Sequence, residues 1–227
     1  MLNMRSASRS TRSGSAPDPD RTAAARIRDA AIARFAAVGV AATTVREIAV
    51  DAGVSPALVI HHFGSKDALR VACDQHVAAT IRAHKRAAMA QGPGMDPLAA
   101  LRRGQEGPPL LRYLARTLVD GSPHVAELVD ELVEDAVGYT AEGVGSGLIR
   151  PSERHRERAI VLTMWSLGAL VLHDHVARLT GIDLTGDPED LAAWTLPATE
   201  ILTHGVLAEG FYERVRDALA TAQEAPS

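Results

Sequence analysis

Val45, Ile48, Ala49 and Ala52 fall at i, i+3, i+4 and i+7, one apolar stripe on a helical surface, while Arg46, Glu47 and Asp51 face away from it. Thr44 stands ahead of the stripe with Glu47 three residues on. That is a capping box, in which the hydroxyl accepts one backbone N–H and the carboxylate accepts another, so a helix starts there. Gly53 ends it, because glycine tolerates the left-handed backbone of a helix C-terminus. Two residues later Ser55 supplies a new N-cap, and Pro56 takes the first helical position, where its missing N–H is not needed. Val59 and Phe63 form the apolar side of this short helix. Gly64 and Ser65 then break and recap the chain, so that Lys66, Asp67 and Leu69 open another helix. Two helices joined by a short turn containing glycine make a helix-turn-helix.

The rest of the chain reads as helix too. The segment opened by Lys66 continues to about residue 89, carrying Val71, Val77 and Ile81. Residues 91–109 are Gly/Pro-rich and read as irregular or as broken helix turns. Helical periodicity returns over 110–120, 125–139, 153–180 and 190–207, with a last amphipathic segment at 211–220. Ser152, preceded by Pro151, is expected to cap the long helix, Gly181 to stop it, and Pro197 to kink or locally open the next. No alternating strand pattern appears, so the fold class is all-α. Ile160, Val161, Leu162, Trp165, Leu167, Leu170 and Val171 spread over more than one side of their helix, which calls for partners on two faces.

Charge divides along the chain. Residues 1–70 hold ten Lys/Arg against six Asp/Glu, or +4, while the remainder holds 14 against 22, or −8. Phosphate affinity therefore belongs to the first third, and the acidic remainder is repelled from DNA. The expected organisation is a disordered basic arm over 1–20, a helix-turn-helix domain over 21–70, and a helical domain over 71–227, to which the family resemblance given below assigns ligand binding and dimerisation. One cysteine, Cys73, permits no internal disulfide and suits a reducing cytoplasm, where it packs as a small apolar residue. The arginines near the N-terminus have no apolar segment behind them, so a secretory signal is not expected. The longest apolar stretch, 159–172, is short of the ~20 residues a bilayer needs.

The second helix of a helix-turn-helix fits the major groove with its N-terminal residues at base edges, while the first crosses the backbone. Helix N-termini offer free N–H groups and a positive dipole end to phosphate. The candidate DNA-contacting residues are Thr43, Thr44, Arg46, Ser55, Pro56, Ala57, Leu58, Ile60, His61, His62 and Lys66. Ala57 and Leu58 offer apolar contacts of the kind that suit a thymine methyl.

The run Thr44-Val45, Ile48-Ala49, Ala52-Gly53-Val54-Ser55, His62-Phe63, Ser65-Lys66-Asp67 and Leu69 resembles the DNA-binding domain of the tetracycline-repressor (TetR) family. The likeness extends back through Arg26-Ile27 and Ala30-Ala31 to Phe35 and Gly39. By that resemblance Thr44 and Lys66 hold phosphates and the segment from Ser55 to His62 lies in the groove. The family commonly places an aromatic residue, mostly tyrosine, where this chain has Ile60, which cannot make the usual backbone hydrogen bond. The resemblance also implies a dimer joined by late helices, a palindromic operator in double-stranded DNA, and release by a small, mostly apolar effector. Candidate pocket residues are Met89, Tyr113, Met164, Trp165 and His173.

The alternatives are a helical enzyme and an architectural DNA-binding protein. His173 and His175 are two apart on a helix and point about 200° away from each other, which argues against one shared metal ion. Gly143-Val144-Gly145-Ser146-Gly147 follows a helix rather than a strand, the wrong setting for a phosphate loop. No catalytic residue, metal or cofactor is assigned.

Overall fold

The computed structural model describes residues 19–96, 107–121 and 124–224, and among them all regular structure is helical. The expectations for the basic arm before Pro19, and for irregular backbone over 97–106, lie outside the described residues.

Helix α1 spans Pro19–Val38 and lays Ile27, Ala31 and Phe35 into the core. Helix α2, Val45–Ala52, starts at the capping box of Thr44 and Glu47 and ends at Gly53, whose φ of 64° is left-handed. Ser55 caps α3, Pro56–Phe63, by accepting the Leu58 N–H, and Val59 anchors that helix in the core. Ser65 then caps α4, Lys66–Ala90, a rod ~37 Å long at 1.5 Å per residue. Its inward face carries Leu69, Arg70, Cys73, Asp74, Val77 and Ala78. A short 3-10 turn at Gly92–Gly94 follows.

Beyond it come α5 (Gly107–Val119), α6 (His124–Gly145), α7 (His155–Val171), α8 (His173–Thr180), α9 (Pro188–His204) and α10 (Phe211–Glu224). Helix α4 packs along α6, α1 along α5, and α7 covers both α5 and α6. A single apolar core runs from Ile27, Phe35, Ile48 and Val59 through Leu69 and Val77 to Tyr113, Leu114, Leu128, Leu132 and Leu170. Ion pairs lace the outer edge of the α4–α6 contact: Arg82 meets Asp135 at 2.9 Å and Arg86 meets Glu142 at 3.1 Å.

Two expectations change. The helix expected over 153–180 is two helices, α7 and α8, which meet at Leu172 with a bend of 72°. The bend keeps Leu170 buried and swings Leu172 outward. Ser152 does not cap the helix; its Oγ accepts the Arg154 N–H one residue before α7 begins. Gly181 does stop α8, with φ 77°. Helix α9 runs through Pro197 without ending. Ala193 and Pro197 are both exposed, so the carbonyl deprived of its partner faces water.

The second apolar side of the late helices is open. Val161, Met164 and Trp165 on α7, Leu196, Ile201 and Leu202 on α9, and Phe211, Tyr212 and Val215 on α10 are all exposed. No single described helix is long and apolar enough to cross a membrane.

Candidate nucleic-acid interface

The backbone around α2 and α3 is fixed by short-range chemistry. The Thr44 backbone N–H donates to Glu47 Oε2 at 2.8 Å, and the Glu47 N–H returns to Thr44 Oγ1 at 3.3 Å. After α2, the Val54 N–H donates back to Ala49 O at 2.9 Å, closing the turn into α3. From α1, the Arg34 guanidinium grips both Asp51 oxygens at 2.6 and 3.0 Å and lies 3.3 Å from Glu47. The hydrogen bond from Arg34 holds the Asp51 carboxyl below the usual range, and the Thr44 N–H does the same first for Glu47. The single Arg34 charge offsets one of the two carboxylates on this side of α2.

Against this frame the candidate contacts separate into three groups. Ser55, Pro56, Ala57, Ile60 and His61 are exposed along the leading end and outer side of α3, and Leu58 and His62 are half-buried. The His61 and His62 rings stand edge to face at 5.6 Å. Arg46 is exposed on α2 and enters no ion pair among the described residues. Thr44 is exposed, but its one hydroxyl proton already goes to Glu47 Oε2 at 2.8 Å. The Thr44 hydroxyl is thus committed to the capping box, and what the opening turn of α2 offers an anion is its free N–H groups.

Thr43 and Lys66 turn out to hold the loop. Thr43 is 1 % exposed and its Oγ1 donates to Gly39 O at 2.7 Å, which removes it from the surface. Lys66 Nζ donates to the carbonyls of Val40 and Thr43, each at 3.0 Å. Both residues thereby shape the connection from α1 to α2.

The five pocket candidates stand in different surroundings. Tyr113 is a core side chain, 1 % exposed, whose hydroxyl donates to Asp74 at 2.6 Å. Met89 packs against α6, so closely that a side chain at Gly143 would meet its sulfur at 2.8 Å. Met164 and Trp165 stand on the open side of α7, and His173 opens α8 with Nδ1 3.4 Å from Asp174. Among the described residues no group of three or more His, Cys, Asp or Glu could hold a metal ion.

A cluster that sequence spacing does not show lies where α4, α5 and α6 meet. Arg70 is buried with Nη1 2.8 Å from Asp120, and its Nε lies 3.9 Å from Asp74. Burial pushes the Asp74 carboxyl up, against the lowering effects of the Tyr113 hydroxyl, Arg70 and His124. It pushes the Tyr113 phenol up as well, with Asp74 adding to the rise.

Comparison with known proteins agrees with this architecture at both ends. Residues 27–73 match the model for bacterial regulatory proteins of the tetR family, and residues 105–208 match a tetracyclin repressor-like C-terminal domain. The chain is 38% identical over 214 residues to the HTH-type transcriptional regulatory protein RaaS of Mycobacterium tuberculosis, covering 90% of this chain and 95% of that one. GusR of Salmonella enterica shares the fold with a TM-score of 0.52 and 20% identity, covering 71% of this chain and 90% of its own. NalD of Pseudomonas aeruginosa does so with a TM-score of 0.50 and 20% identity, over 84% of this chain and 99% of its own.

Proposed function

This chain belongs to the tetR family of bacterial regulatory proteins, and from that premise we propose that it occupies a palindromic operator as a homodimer and represses transcription until a small, mostly apolar effector releases it. The observation that carries the reading is the presentation of α3. This helix of eight residues is capped at Ser55, pinned by Val59 and exposed at Pro56, Ala57, Ile60 and His61. Its width suits a major groove about 12 Å across. Ser55, Pro56, Ala57, Leu58, Ile60, His61 and His62 form the reading edge in this proposal. Arg46 and the opening turns of α2 and α4 hold phosphates, while Lys66 acts mainly by fixing the loop.

Dimerisation follows from two features. One short recognition helix makes few contacts, and two-fold symmetry doubles them over half-sites about 34 to 36 Å apart. Exposed apolar side chains on α7 and α9, including Val161, Trp165, Leu196 and Leu202, provide a surface for a second copy. The working division is an arm over 1–20, a DNA head over 21–70 and an effector and dimer domain over 71–227, acting in the cytoplasm where the chromosome lies. Effector binding shifts the balance between head arrangements only through different affinity for them.

In vitro selection from random duplexes, followed by footprinting, tests the reading. A recovered inverted repeat protected on both half-sites is the expected result. Recovery of no preferred sequence overturns it. A compound screen scored by loss of the footprint then tests release.

A further inference from the structure

Helix α5 is fastened to the DNA head from two directions. Toward α1, its Tyr113 ring lies 6.3 Å from Phe35, and its Arg116 Nη1 donates to Ala37 O at 3.1 Å. The Arg116 guanidinium also covers Gly39, where a Cβ would approach Nε to 3.2 Å. Toward α4, Tyr113 donates to Asp74, and Asp120, just past the end of α5, binds Arg70 at 2.8 Å. Arg70 and Asp74 are one helical turn apart and both nearly sealed from water, with side-chain exposures of 7% and 9%. Two buried charges of opposite sign on α4 thus each find their second partner on or beside α5.

Separating α5 from α4 would leave a carboxylate and a guanidinium buried without those partners. Such a contact breaks as a unit and resists gradual sliding. The same Tyr113 touches α1 through its ring and α4 through its hydroxyl, so a displacement of α5 reaches both helices that carry the head.

We propose that Tyr113 and Arg70 are positioning residues for operator binding, forming with Asp74 and Asp120 a buried polar clasp that sets the angle of the DNA head against the second domain. The proposal rests on the regulator reading above. It acts on the head's placement and leaves the DNA-contacting side chains unchanged.

Tyr113→Phe keeps the buried ring and removes only the hydroxyl; Asp120→Asn, at the more exposed end of the clasp, removes one charge. Both variants are compared with wild type in the full chain, at a temperature where circular dichroism shows all three folded. The first readout is amide hydrogen exchange in the last turn of α1, expected to quicken in each variant. The second is Kd for the duplex recovered by wild-type selection. It is expected to change by about fivefold or more, the lower end of coupling between linked sites, with the slope of log Kd against log salt unchanged. Either readout unaltered overturns the clasp, and so does a changed salt slope, which would mean that phosphate contacts moved. Failure of wild type to select any duplex sinks the regulator reading instead, so the two failures are distinguishable.

Discussion

Lys66 reaches back 26 and 23 residues to the carbonyls of Val40 and Thr43, binding the first turn of α4 to the loop that launches α2. An ammonium shared between two carbonyls in a half-buried site is a structural brace, and under the proposed function a phosphate contact as well. Lys66→Met is expected to lower stability by about 1.5–3 kcal/mol, the range for hydrogen bonds to a charged group. The slope of log Kd against log salt separates the roles, since a lost phosphate contact would reduce it by about one unit while a lost brace leaves it in place.

Ser55 caps α3 at the end that the proposed function places against DNA. Ser55→Ala is expected to cost about 1 kcal/mol in urea unfolding, and Ser55→Asp nearly nothing because aspartate caps equally well. Operator affinity should fall in both, more in the Asp variant, where a negative charge faces phosphate. Equal affinity for wild type and Ser55→Asp would remove this end of α3 from the interface.

Ile60 is 44% exposed on α3, so a larger polar side chain fits there without disturbing the core. Ile60→Tyr is expected to tighten operator binding by supplying a hydroxyl toward the DNA backbone, with an unchanged melting temperature. Fluorescence anisotropy on the selected duplex measures it.

Acid should loosen the contact between α1 and α2. The folded Glu47 and Asp51 carboxyls lie below their unfolded values, so their contribution is complete above the ordinary carboxylate range of about pH 4 and is lost as pH falls through the folded values. Melting temperature should therefore be insensitive to these groups between about pH 5 and 7 and drop below about pH 4. Arg34→Ala, which removes the first cause of the Asp51 depression, should flatten part of that drop.

Placing charge on the open side of the late helices should separate the subunits of the proposed dimer. Leu202 is 59% exposed and Trp165 40%. Leu202→Lys or Trp165→Glu is expected to yield a monomer by light scattering with unchanged helicity, and operator affinity should fall with it. A persistent dimer moves the interface elsewhere.

The head was legible because its signals are local. Thr44 with Glu47, Gly53, Ser55 with Pro56 and Ser65 each act within three or four residues, and each cap forms as the spacing demands. The break at Leu172 was not, since neither glycine nor proline stands at it and helical spacing continues through Leu172, Val176 and Leu179. Thr43 and Lys66 read as surface residues until the loop folds back on them, a contact that depends on how α1 and α4 cross. Tyr113 likewise suited a pocket by type, yet its hydroxyl partner lies 39 residues away on another helix. Side chains whose partners are distant in sequence leave no periodic trace.

Cys73 is 0% exposed, its thiol pushed up by burial, and it is the chain's one cysteine. An inert native sulfur leaves the protein ready for site-specific dyes: a cysteine introduced at Val50, exposed on α2 outside the assigned contacts, would carry the sole reactive thiol. A fluorophore there could time the arrival and departure of the duplex on the unaltered core.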